Sequence, residues 1–115
     1  MSERASVTRV TDAEFDKVAD AELHALEAGL SELDPDEVEV DFSSGVLTLT
    51  LADDQVIVIN SHRAAGQIWM AAFRTAWHFS PRNEGDALAW RTDKDELRST
   101  LSRVLTERLA RTVTL

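Results

Sequence analysis

Apolar residues recur at Phe15, Val18, Ala19, Leu23, Leu26, Leu30 and Leu33, the three-and-four spacing of a helix that buries one face. Ahead of them, Thr11-Asp12-Ala13-Glu14 has the form of a capping box, with a hydroxyl at the N-cap and a carboxylate three residues on. Asp34-Pro35 stops the pattern, because proline pushes the preceding residue out of the α region. The spacing predicts a helix over about residues 12–32, with Gly29 as its weak point. The period then changes to two. Val38, Val40 and Phe42 alternate with Glu37, Glu39 and Asp41, which predicts a strand with one apolar and one acidic face.

Ser43-Ser44-Gly45 turns the chain into a second strand, Val46–Leu51, and Asp53-Asp54 marks the next turn. Residues 56–59 form a β-branched strand ending at Asn60, and a loop is expected over 61–66. Strands over Gln67–Ala72, 77–79 and Ala87–Arg91 follow, with a polar loop at 81–86. Short strands separated by turn-length gaps predict an antiparallel meander. Thr92-Asp93 reads as a second helix start, with Leu97, Leu101, Val104, Leu105 and Leu109 as its apolar stripe. Arg98, Arg103, Arg108 and Arg111 add cations, several near the C-terminal end that favours them. Helix, strands, helix is an α+β order. It predicts a two-layer sandwich, with the N- and C-terminal helices packed on one face of a five-to-six-stranded antiparallel sheet.

At 115 residues the chain has room for one core. Residues 1–10 read as a flexible tail and 11–115 as the domain. No cysteine is present, which excludes disulfides, thiolate metal sites and cysteine-ligated clusters. No apolar run approaches a membrane span and no hydrophobic signal core opens the chain, so the expected compartment is the cytoplasm, with no membrane partner. The net charge of −9 is concentrated at one end. Residues 1–41 hold 13 of the 21 acids and 3 of the 12 Lys+Arg, whereas the remaining residues nearly balance. That argues against nucleic acid, whose phosphates need clustered cations, and for a hard cation or a basic protein surface. Acidic faces also keep proteins soluble, and charge alone does not choose between these readings.

No phosphate loop, nucleophile elbow or paired histidines at ligand spacing occur, and no enzyme is expected. His24, His62 and His78 fall on three different elements. The acids are the main candidates. Asp16, Asp20 and Glu27 lie within about 40° on the first helix, with Asp12 about 40° before Asp16. Asp34, Asp36, Glu37, Glu39 and Asp41 carry the charge through the turn onto the first strand. Exposed, oxygen-only sets bind hard cations loosely and unselectively, while acids on an edge strand also block edge-to-edge pairing. A second candidate is Gln67-Ile68-Trp69, where alternation puts Gln67 and Trp69 on one sheet face and Ile68 on the other. Trp69 is then either an exposed interaction anchor or a core residue.

These residues resemble the frataxin family. The resemblance rests on Phe42-Ser43-Ser44-Gly45-Val46-Leu47-Thr48-Leu49, Val58-Ile59-Asn60 and Gln67-Ile68-Trp69, and for bacterial members on Glu14-Phe15…Ala19-Asp20 and Trp77-His78-Phe79. It covers about residues 11 to 115. It implies the sandwich already inferred and a role in iron–sulfur cluster assembly, as an iron-binding regulator or chaperone. In the resemblance, weakly bound iron (Fe2+ or Fe3+), with no tightly bound cofactor, sits on the ridge Asp12, Asp16, Asp20, Glu27, Asp34, Asp36, Glu37, Glu39 and Asp41. It also implies a cysteine desulfurase and a scaffold protein as partners, met through Asp20, Glu37, Glu39, Asn60, Gln67 and Trp69. A monomer is expected, with iron-dependent oligomerisation left open. The alternative is an interaction module acting on the desulfurase without a required metal. Glu22 departs from the pattern, standing where such helices carry an apolar residue. Ala28, Pro35 and Ala64-Ala65 also depart, and Arg63 and Arg74 add positive charge near Trp69.

Overall fold

Helix α1 runs over Asp12–Leu30 in a computed structural model that describes residues 12–115, at Asp12 the backbone only. The expected tail at residues 1–10, the Thr11 cap and the Asp12 side chain lie outside the described residues. The helix stops two residues short of the expected end because its last turn tightens: Glu32 and Leu33 donate to the carbonyls of Gly29 and Leu30, three residues back. Asp34 then organises the turn into the sheet, its carboxylate accepting from the Asp36 N–H at 2.9 Å and its carbonyl from Glu37 and Val38. Pro35 lacks an N–H and takes nothing from this arrangement.

Six strands follow: β1 (Val38–Ser43), β2 (Val46–Leu51), β3 (Val56–His62), β4 (Gln67–Ala72), β5 (Thr75–Glu84) and β6 (Ala87–Arg91). They pair in sequence order as an antiparallel meander. The β1–β2 hairpin closes through Ser44 and Gly45, both at positive φ (53° and 78°), the signature of turns whose twist matches the strands. The β4–β5 hairpin places Phe73 and Arg74 at φ 48° and 75°, a conformation that costs a residue with a side chain roughly 1–2 kcal/mol. Arg108, 4.0 Å over the Phe73 ring, helps to hold that turn.

Two expected loops are different in the structure. β3 continues to His62, and a 3-10 turn at Arg63–Ala65, closed by Gly66 in the left-handed region (φ 65°), replaces the open loop. The polar stretch at 81–86 is mostly strand. β5 pairs with β4 through Phe79 and with β6 from Ser80 onward, so Pro81 sits where the strand has one neighbour, a position proline tolerates.

Both helices cover one sheet face. Phe15, Ala19, Leu23, Leu26 and Leu30 from α1 join Leu97, Leu101, Val104 and Leu105 from α2 (Leu97–Leu109) over the inward residues of the strands, all in one core. Phe15 meets Trp90 edge to face at 6.0 Å. Among the described residues no helix is long and apolar enough to cross a membrane.

The second helix begins later than Thr92-Asp93 predicts. The Thr92 hydroxyl accepts from the Lys94 and Asp95 N–H groups, forming a local turn, and Glu96 caps the helix instead. Its carboxylate accepts from the N–H groups of Arg98 and Ser99 and from the Ser99 hydroxyl. Burial pushes the Glu96 carboxyl up, but these hydrogen bonds and nearby Arg91 together hold it below the usual carboxylate range. The unexpected polar residue on α1, Glu22, is only 9% exposed. The Arg98 guanidinium bonds both of its oxygens, at 2.8 and 3.0 Å, tying α1 to α2.

Two stability predictions follow from these contacts. Glu96→Ala will cost about 1 kcal/mol near neutral pH. A carboxyl held below its unfolded value stabilises above that value and loses the effect as pH falls, so the difference from wild type will shrink in acid. Urea unfolding at pH 7 and pH 3 reads this, and a penalty that grows in acid would contradict it. Arg98→Ala leaves a buried carboxylate unpaired and will cost about 1–2 kcal/mol, discounted because Arg98 itself is partly exposed. Adding Glu22→Leu will restore most of the loss. An unchanged urea midpoint in the single variant would contradict the clamp.

Candidate functional site: an acidic edge and an aromatic sheet face

The described ridge acids border one edge of the sandwich. β1 pairs only with β2, so it is the sheet edge, and α1 packs against β1 and β3. His24 links the two elements. Its ring meets Phe42 of β1 edge to face at 4.8 Å, while Nε2 lies 3.3 Å from an Asp20 oxygen and Nδ1 lies 3.7 Å from one of Glu27. Because Val38, Val40 and Phe42 point toward the core, Glu39 and Asp41 emerge on the uncovered sheet face, opposite Thr50 and Thr48. The acids therefore wrap around the β1 edge.

Arginines from distant segments already engage part of this set. Arg63, on the 3-10 turn, donates to both oxygens of Asp16, with Nε 3.1 Å from Oδ1 and Nη2 on Oδ2. Arg111 lies just past α2, where Ala110 turns the chain at φ 57°, and it donates to both oxygens of Glu37, Nε at 3.1 and 3.3 Å. The hydrogen bond and charge of Glu37 raise the Arg111 guanidinium above its ordinary value, burial opposing. Asp34 is committed to its turn. Asp36, Glu39 and Asp41 are exposed. Among the described residues no group of three or more His, Asp or Glu side chains is arranged to hold a metal ion.

The uncovered face carries the second candidate set. Register aligns Val46 of β2, Asn60 of β3, Trp69 of β4 and His78 of β5 in one row. Ile68 and Met70 are buried under the helices, which sends Trp69 to the open side, where it is half-buried. The alternative of a core Trp69 falls away. Its Nε1 donates to Gln67 at 2.9 Å, and the Gln67 amide donates to the Ser80 hydroxyl at 3.1 Å. Two imidazoles stack on the indole, His62 at 3.7 Å and 14° and His78 at 4.1 Å and 15°. The structure thus places Asn60, Gln67 and Trp69 side by side on this face. It adds His62 and His78, which alternation within each strand allowed but which only the pairing register could place beside Trp69.

The Frataxin-like domain family matches residues 8–114. Among curated relatives, the iron-sulfur cluster assembly protein CyaY of Ralstonia nicotianae is 37% identical over 110 residues, covering 92% of this chain and 95% of that one. CyaY of Dechloromonas aromatica is 32% identical over 109 residues, covering 90% and 97%. The frataxin of Psychromonas ingrahamii, a member of the CyaY family, superposes with a TM-score of 0.78 at 26% identity, over 91% of this chain and 97% of that structure. With the family match spanning nearly its whole length and its helices and six-stranded sheet in the same arrangement, the chain belongs to the frataxin-like domain family.

Proposed function

We propose that this domain is a non-catalytic regulator or chaperone of iron–sulfur cluster assembly. It binds iron weakly along the acidic edge and modulates a cysteine desulfurase–scaffold assembly. The observation that carries the reading is the joint presence, in a chain of this family, of an acidic α1–β1 edge and an aromatic face on the same sheet. The curated relatives are named for cluster assembly. Exposed carboxylates fit iron as cargo rather than as a resident cofactor, because oxygen donors without a closed cage hold hard cations loosely.

A second reading, a protein-interaction module that needs no metal, is favoured by the arginines on Asp16 and Glu37. Carboxylates that accept bidentate guanidinium from within the chain are equally suited to accept it from a basic partner.

Two measurements test these readings. In an anaerobic NMR titration, Fe2+ will first perturb amides within residues 16–41; perturbations confined to His62 and His78 would overturn the ridge assignment. In calorimetry against purified desulfurase with a chelator present, Glu39→Lys/Asp41→Lys will weaken binding about tenfold, and the wild-type affinity will fall as salt rises. If that variant binds normally while Trp69→Ala does not, the aromatic face is the main contact instead. If the wild type binds only when iron is supplied, the metal-free reading is wrong.

A further inference from the structure

We propose that the part of the open sheet face beside the β4–β5 turn is a socket for the docking partner, seating one apolar side chain and pairing a neighbouring carboxylate with Arg74. The inference rests on the reading that this face docks a partner, and gives the chemistry of the segment it takes.

Register and side-chain size make the socket. Val58, Ala71 and Ala76 align in one row across β3, β4 and β5, and all three point outward because Ile57, Ile59 and Ala72 are buried under the helices. Two adjacent alanines leave the sheet surface low at this place. Val56 walls the low ground on β3; at 45% exposure it is one of two large apolar side chains left so open among the described residues. The result is a depression of about 400 Å³, open to solvent. Its apolar walls gain by burial against a matching side chain, and its open mouth suits a protruding residue better than an enclosed small molecule.

Arg74 sets the sign of what lies beside that side chain. It lines the depression, is exposed, and its side chain holds no carboxylate or other hydrogen-bond partner among the described residues. In this acidic chain that is uncommon: Arg63, Arg91, Arg98, Arg103 and Arg111 each hold a carboxylate of their own. The turn that carries Arg74 is anchored, with Phe73 packed against the core and Arg108 over its ring. The acids at this end of the sheet stand on the opposite flank. Glu39 faces Thr50, which in turn faces Val56, and Asp53 and Asp54 form the β2–β3 turn. A docked segment therefore lies with its carboxylate toward β5 and the Arg74 turn. A second copy of the chain is a poor occupant, because each copy carries a net charge of −9.

The test uses the full chain and three variants. Arg74→Gly removes the cation and suits the backbone, since glycine is relaxed at the φ of 75° found there, so it will unfold at no lower urea concentration than wild type. Arg74→Lys keeps the charge, and Ala76→Phe fills the depression from an outward strand position. In calorimetry against the purified desulfurase–scaffold assembly, Arg74→Gly will bind roughly three- to fivefold more weakly and Arg74→Lys close to wild type. Ala76→Phe will lose about tenfold. In NMR of the free chain, N-acetyl-leucyl-glutamate amide will shift the signals of Val56, Val58, Ala71 and Ala76 more than N-acetyl-leucyl-lysine amide does, and Arg74→Gly will abolish the difference. Wild-type binding by Arg74→Gly or Ala76→Phe, or two peptides that act alike, would overturn the socket. So would a concentration-dependent doubling of mass in sedimentation that Ala76→Phe removes, which would assign the depression to a second copy. Failure of the wild type to bind the assembly would overturn the docking reading, and the peptide titration would then decide the socket by itself.

Discussion

Helices cover one side only of this domain's sheet, and strand geometry sends alternate residues to opposite sides. Each strand must therefore place its apolar set inward and accept whatever the other set becomes. Ile68 and Met70 go under the helices, and Trp69 has no choice but the open face. Val38, Val40 and Phe42 go inward, and Glu39 and Asp41 follow onto the open side of the edge strand. A slip of one residue would bury two carboxylates and expose the core, so the register is firmly held. The aromatic face and the β1 share of the acidic edge are consequences of that one constraint.

Charge is the second organising element, and it is less one-sided than composition implies. Arg63, Arg98 and Arg111 each reach back to the acidic first third, at Asp16, Glu22 and Glu37. Arg98 joins the helices through a largely buried carboxylate, where removing one partner matters most. Arg63 and Arg111 are exposed pairs and hold little free energy. Their effect is on availability: Asp36, Glu39 and Asp41 are exposed, whereas Asp16 and Glu37 already hold a guanidinium.

The elements set by local rules were legible. The α1 stripe, the β1–β2 hairpin at Ser44-Gly45 and the strand Gln67–Ala72 follow from periodicity and turn chemistry, and the structure has them close to the expected bounds. The misses were non-local or were local signals with two uses. Thr92-Asp93 forms a hydroxyl-capped turn, which has the same local appearance as a helix start, and Glu96 takes the cap. The polar residues 81–84 carry no strand signal of their own and are extended because β6 pairs with them. Glu22 looked like an interruption until Arg98, 76 residues away, supplied its partner. The histidine stack needed the β3–β4–β5 register, which no single strand contains.

The Psychromonas frataxin shares 26% of residues with this chain yet superposes at a TM-score of 0.78. The layered backbone therefore survives replacement of most side chains. Inward positions are constrained by packing, where changes of even one methylene are felt, while outward positions on the same strands carry no such penalty. Alternation thereby separates the two kinds of change. Side chains on the open face and the β1 edge, such as His62 and His78 around Trp69 or Arg63 on Asp16, lie outside the layer that holds Ile57, Ile59, Ile68 and Met70. In such a fold a shared architecture says little about the charge carried on the surface.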